Sequence, residues 1–175
     1  MRKIQKSGQV WIETVIYTLI GLSIIGILLA VSKPKIDSMK DKSIIEQSIE
    51  TLTIIDNKIY DVQKTGSGNK RTIPELKISK GNLVINAENN SIYWIIDSSY
   101  KYSELDEQVP LGRFKVITTQ QDPWQVKIIA SYDFDLIYNG EDIIKEFETA
   151  AVPYSLSMEN MGNQNRITSI NIQAG

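Results

Sequence analysis

The sequence predicts an α+β fold: one long N-terminal helix, transmembrane in its first half and amphipathic in its second, packed on an antiparallel β-sheet or sandwich head. Three observations carry this expectation. From Val15 to Val31 the chain reads VIYTLIGLSIIGILLAV without a charge, and back to Val10 the only charge met is Glu13. From Ile36 to Val62 apolar residues recur at three- and four-residue steps, the period of one helix face. Beyond Thr65 the pattern changes to short β-branched and aromatic runs divided by Asn, Gly, Pro and Asp, which are strand and turn signals.

A chain of 175 residues holds one globular domain and an additional element. Its formal charge of -2 points to no nucleic-acid partner. There is no cysteine and no histidine, which excludes disulfides, thiolate metal sites, thiol nucleophiles and imidazole acid–base chemistry together.

The elements follow in order. Arg2, Lys3 and Lys6 precede the apolar run, with nothing acidic before Glu13. Positive charge on that side predicts a cytoplasmic N-terminus and an outward C-terminal portion. Crossing roughly 30 Å of hydrocarbon takes about 20 residues, and the stretch from about 10 to 32 is long enough. A secretory signal has a shorter apolar core and a small-residue cleavage site after it, whereas Ser32-Lys33-Pro34-Lys35 follows here. On charge and length alone an uncleaved signal anchor fits equally well. Glu13 stands at the edge of the span, where a carboxylate is costly enough to be a functional-site candidate; the plainer reading is that it snorkels to the headgroups.

The periodicity predicts one helix from about Gly8 to Lys64, kinked near Pro34, since proline removes a backbone bond and clashes with the preceding turn. Gly21 and Gly26 are five apart, which is not the spacing of close helix packing in lipid. Thr65-Gly66-Ser67-Gly68-Asn69 ends the helix. Leu83–Asn86 and Ile92–Ile96 read as a hairpin, and further strands are expected over Gly112–Thr119, Trp124–Tyr138, Glu141–Phe147, Val152–Glu159 and Arg166–Ile172. Asn139-Gly140 is the sharpest hairpin signal. Residues 70–81 read as a loop or an edge strand, and 98–109 as a loop or a short helix.

The segment Ser7-Gly8-Gln9-Val10-Trp11-Ile12-Glu13-Thr14 resembles the class III signal peptide of archaeal type IV pilins and pilin-like proteins, in which a basic leader ends in Gly, Gln follows, and Glu stands fifth from the cut. Counting Gln9 as the first mature residue, Glu13 is the fifth. Many relatives carry Ser where this chain has Trp11. The resemblance covers about the first thirty-five residues closely and the remainder only in general layout. It implies a cleaved leader over 1–8, a helix over 9–64 and an extracellular β-rich head over 65–175. It also implies processing between Gly8 and Gln9 by a prepilin peptidase, and pairing of Glu13 with the freed amine of a neighbouring subunit. The partners it implies are membrane lipid, identical or related pilin subunits, an assembly ATPase and a platform protein. The subunit would sit in the cytoplasmic membrane before assembly and at the cell surface or in an extracellular filament, serving for example adhesion, after it.

No catalytic, cofactor-binding or metal-binding constellation stands out. A serine nucleophile would need a lysine base, and no such spacing is present. Asp133 and Asp135 would share a strand face as a solvated pair rather than a calcium site. Asn89-Asn90-Ser91 is an N-glycosylation sequon on an expected turn. Tyr93, Trp94, Tyr100, Tyr102 and Trp124 read as cross-strand and core packing. The expectation is therefore a structural, non-enzymatic filament subunit. The alternative is a single-pass membrane-anchored β-domain that binds a ligand or protein, and a membrane-tethered enzyme ranks last.

Overall fold

The computed structural model describes residues 6–164 and 167–175, with side chains from residue 10 to 163 and from 167 onward. Helix α1 spans Lys6–Gln63. Ten strands follow: β1 Lys70–Leu76, β2 Asn82–Asn86, β3 Ser91–Ser98, β4 Val109–Leu111, β5 Phe114–Thr119, β6 Trp124–Ser131, β7 Asp135–Tyr138, β8 Ile144–Phe147, β9 Tyr154–Gln164 and β10 Ile167–Ala174. The chain is thus α+β, as its patterning predicts. It divides into two compact units, Met1–Met39 and Lys40–Gly175. Pro34 lies inside α1 and does not break its helical assignment, since a proline forfeits only its own amide bond to the carbonyl four residues back.

In the second unit the strands form a four-stranded sheet ordered β1-β9-β10-β7 and a six-stranded sheet ordered β4-β5-β6-β3-β2-β8. All pairings are antiparallel except β10 with β7, which is parallel. One contiguous core joins the inward faces of both sheets to a stripe of α1 formed by Ile45, Leu52, Ile55, Ile59 and Val62. These lie at helical spacing on one face, and the opposing sheet residues, such as Ile85, Ile96, Ile128, Leu156 and Ile172, are as deeply buried.

Two expectations are corrected in detail. The run from Trp124 to Tyr138 is two strands in different sheets. After Ser131 the chain leaves the six-stranded sheet, because Asn90 accepts from the Tyr132 amide at 2.9 Å and from the Leu136 amide, through its side-chain oxygen, at 2.7 Å. Tyr132 and Phe134 then turn inward against Tyr60, so Asp133 stands outside any strand and shares no sheet face with Asp135. Asn139-Gly140 is a tight turn with both residues at positive φ and a bridge between Tyr138 and Glu141. It nevertheless joins the two sheets, since β8 pairs with β2. Residues 70–76 are an edge strand that tolerates Pro74, as edge strands do. The loop at 98–109 ends in the short strand β4.

Three polar contacts fix α1 to the sheets, and none has a local sequence signature. Asp41 is buried, and its carboxylate accepts from Lys80 Nζ at 2.5 Å, from the Ser99 amide at 2.7 Å and from Ser99 Oγ at 2.8 Å. Burial alone would raise this carboxyl, but the Lys80 ammonium and the Ser99 donors outweigh it and hold it below its ordinary value. At the helix C-terminus, Asn160 of β9 donates through Nδ2 to the carbonyls of Val62 at 3.0 Å and Thr65 at 2.7 Å, capping orphan acceptors. Between them Asp56, 1 % exposed, forms an ion pair with Arg113 from the β4–β5 turn, and the Arg113 guanidinium lies 4.7 Å from the Tyr60 ring. Burial pushes the Asp56 carboxyl above its ordinary value although Arg113 pulls the other way. The Tyr132 hydroxyl faces the same carboxylate without a hydrogen bond of good geometry.

Gly81 opens β2 at φ +77, and a Cβ there would meet the Ile95 carbonyl oxygen at 2.1 Å. The bare backbone lets the Trp94 indole, 1 % exposed, donate to the Lys80 carbonyl at 3.0 Å.

Two stability predictions follow from these anchors. Asp41→Asn should destabilise the protein at pH 7 by about 1.5–3 kcal/mol, the range for hydrogen bonds to a charged group. A depressed carboxyl stabilises above its unfolded value of about 3.9 and loses that contribution as pH falls through its lower folded value, so the gap between parent and variant in urea melts should be full at pH 7 and begin to close only as pH drops below about 4. Asp56 has the opposite sign. Arg113→Ala should destabilise by about 3 kcal/mol at pH 7 by leaving a buried charge uncompensated, and the loss should shrink on acidification as the raised carboxyl takes up a proton. Asp56→Asn should be close to neutral; a loss equal to that of Arg113→Ala in the same melts would show that the ion pair, not desolvation, dominates.

Candidate membrane and assembly segment

The residues with the least internal explanation lie in the first unit. Between Val10 and Val31, Trp11 is 70 % exposed, Tyr17 72 %, and every Leu, Ile and Val is exposed as well. An 18-residue window of this helix has a mean hydropathy of 2.4, and none of it is buried. Among the described residues one helix is long and apolar enough to cross a membrane.

Its polar residues are arranged to need little from their surroundings. Thr14 Oγ1 donates to the Val10 carbonyl at 2.9 Å, Thr18 Oγ1 to Thr14 at 2.8 Å, and Ser23 Oγ to Leu19 at 2.7 Å. These back-bonds satisfy each hydroxyl within its own helix, which is what an apolar medium demands. Gly21 and Gly26 have open space where a Cβ would stand, so their lack of a side chain answers no contact inside this chain.

Glu13 is exposed on α1, one turn after Val10. Gly8 and Gln9 lie within α1, and their side chains are outside the described residues, as is the start of the basic leader over residues 1–5. The structure therefore places Glu13 and the expected cleavage point on one continuous helix. Asn89 is far from them in sequence, in the turn between β2 and β3, where its side chain is exposed and its amide donates to Asn86 Oδ1 at 3.0 Å. Asn90 adopts φ 46 and Ser91 is 8 % exposed at the start of β3. The sequon is thus half accessible, the acceptor amide outward and the serine locked in the sheet. Ile36 and Met39, which the sequence counts at the head of the helical apolar period, are 62 % and 67 % exposed beyond the span, so the face that the described residues cover begins only after them.

The buried core begins at Asp41 and Ile45, so the second unit does not need the first to fill its interior. A chain reduced to Lys40–Gly175 should fold, remain soluble without detergent, and melt within about 5 °C of the full chain, equivalent to roughly 1 kcal/mol at this size. The full chain should require detergent or lipid. Aggregation of the shortened chain, measured by light scattering, would mean that residues 1–39 complete its core.

No protein-family model, no curated protein and no solved structure matches this chain, so the physical properties of this segment are what bear on its role.

Proposed function

We propose that this chain is a structural, pilin-like subunit. In this reading its leader is removed between Gly8 and Gln9, residues 10–32 hold it in a bilayer, and the same helix then packs with those of other copies in an extracellular filament. The observation that carries the reading is the bare apolar helix beside a unit whose core is full without it. Fifteen large apolar side chains between Val10 and Val31 are exposed. At roughly 1.5–3 kcal/mol each, leaving them in water forgoes on the order of 20–40 kcal/mol, more than the roughly 5–15 kcal/mol by which a whole domain is stable. Lipid or other helices must cover them.

The carboxylate of Glu13 favours a helix bundle over a plain anchor. In hydrocarbon it is costly, and an amine newly exposed on a neighbouring subunit would offset that cost through a charge-assisted hydrogen bond. Gln9, as the first mature residue, supplies that amine. Prepilin peptidase, assembly ATPase and platform protein are the partners this route requires, and Asn89 is the exposed acceptor for a glycan on the outward unit.

The test is the N-terminal residue of the membrane-bound product, read by mass spectrometry after expression with a matching prepilin peptidase. The expected mature chain begins at Gln9, and Glu13→Ala should be processed yet fail to assemble, with Glu13→Gln assembling at an intermediate level. An intact leader, while the peptidase cleaves a control substrate, would sink the filament reading and leave a signal-anchored display domain. The same spectra report on Asn89: a glycan mass there should vanish in Ser91→Ala, and unmodified Asn89 from an N-glycosylating host would remove that assignment.

A further inference from the structure

We infer that Asn139 is a site of asparagine deamidation that β10 holds shut. In a folded copy Asn171 keeps the Gly140 amide occupied and Asn139 survives. In a copy whose last strand has left the sheet, the side chain at 139 becomes aspartate or isoaspartate.

The chemistry needs no molecule other than water. The Gly140 backbone nitrogen attacks Asn139 Cγ and gives up its proton, the Cγ–Nδ2 bond breaks, and ammonia leaves. Water then opens the cyclic imide. Addition at Cγ gives aspartate; addition at the backbone carbonyl gives isoaspartate, with the chain rerouted through the side chain. Glycine in the second position favours the attack, because no Cβ crowds the closing ring. Asn139-Gly140 is the single Asn-Gly pair in the chain, and both residues are exposed, so water reaches them.

In the folded chain the attack is held off in two ways. Asn139 and Gly140 sit at φ 52 and 83, the left-handed pair of a tight turn. Tyr138 and Glu141 close that turn, the Tyr138 amide donating to the Glu141 carbonyl at 2.8 Å and the Glu141 amide to the Tyr138 carbonyl at 3.0 Å. The nucleophile itself is also engaged, since the Gly140 N–H donates to Asn171 Oδ1 at 3.0 Å. A side-chain amide oxygen accepts such a bond but is too weak a base to take the proton, so the nitrogen stays in its unreactive form. Asn171 is 5 % exposed, which shields the bond from water.

The hold on the nitrogen comes from the last strand. The Asn139 N–H donates to the Ile172 carbonyl at 3.0 Å, next to Asn171. β10 lies parallel to β7, with Asn171 opposite Ile137 and Ile172 opposite Tyr138. The Tyr138–Glu141 bonds are local and do not require β10, whereas the bond to the Gly140 nitrogen does. Departure of β10 therefore frees the nucleophile while the turn stays exposed. The product is permanent, and isoaspartate lengthens the backbone between Tyr138 and Glu141, whose mutual hydrogen bonds fix the turn.

The test is the mass of the peptide carrying residue 139, followed over days in the full chain in detergent at mildly alkaline pH. Conversion at Asn139 in the folded parent should be at least about ten-fold slower than in the same chain held unfolded in urea, because the reactive conformer is reached only by local opening. Asn171→Leu, which keeps the bulk and removes the acceptor, should convert about two- to ten-fold faster than the parent, the factor that one ordinary hydrogen bond supplies. Asn171→Asp, which keeps an acceptor oxygen, should stay near the parent. Equal rates in folded and unfolded parent overturn the inference, as does an Asn139 that stays intact even in urea. A folded Asn171→Leu chain that converts at the parent's rate also overturns it, leaving protection to the local turn alone. If Asn171→Leu proves unfolded by circular dichroism, hydrogen exchange of the Gly140 amide in the parent decides, and exchange as fast as in urea overturns the inference.

Discussion

Everything in the β-rich unit is organised by the burial of one helical stripe. Ile45, Leu52, Ile55, Ile59 and Val62 are each at most 1 % exposed, and both sheets close on them. The polar anchors at Asp41, Asp56 and the Asn160 cap stand along the same helix. They act where apolar packing is indifferent to sliding: hydrophobic contact is non-directional, whereas a carboxylate held by an amide, a hydroxyl and an ammonium tolerates one position only.

The same helix answers to two solvents. Beyond Lys40 its apolar residues occupy one face and its charges the others, the arrangement suited to water on one side and a core on the other. Before Pro34 it is apolar all round, with its hydroxyls turned onto its own carbonyls, the arrangement suited to hydrocarbon. Between the two lies a stretch with Lys33, Lys35, Ile36, Met39 and Lys40 all exposed, matching neither medium fully. The transition from one physical regime to the other is therefore gradual along the axis, and the residues within it are the ones free to meet another molecule.

How far the sequence could be read differs between these parts. The apolar span was legible because hydropathy over twenty residues is a local quantity, and the helix beyond it because Ile45 to Val62 keep a single period. The β2–β3 hairpin was legible for the same reason, as strand, turn and strand are contiguous. The split of Trp124–Tyr138 was not, because it depends on Asn90, more than thirty residues earlier, taking the amides of Tyr132 and Leu136. Asn139-Gly140 carried the right turn chemistry and misled about topology, since positive φ fixes the turn and says nothing about which sheet the next strand joins. Of the candidate site, Glu13 and the exposed span were readable from residues alone.

The parallel pairing of β7 with β10 also bears on the order of events in time. The four-stranded sheet places its last strand in sequence, β10, between β9 and β7, and its first, β1, against β9, with Lys70 opposite Glu159. No two strands of that sheet other than β9 and β10 can pair before most of the chain has been made. Such non-local topology slows folding because loop closure must be met before contacts reward it. A nascent chain can form the hairpins of the six-stranded sheet as they emerge, whereas the four-stranded sheet stays open until β9 and β10 have been made, and until then the apolar face it covers lies bare.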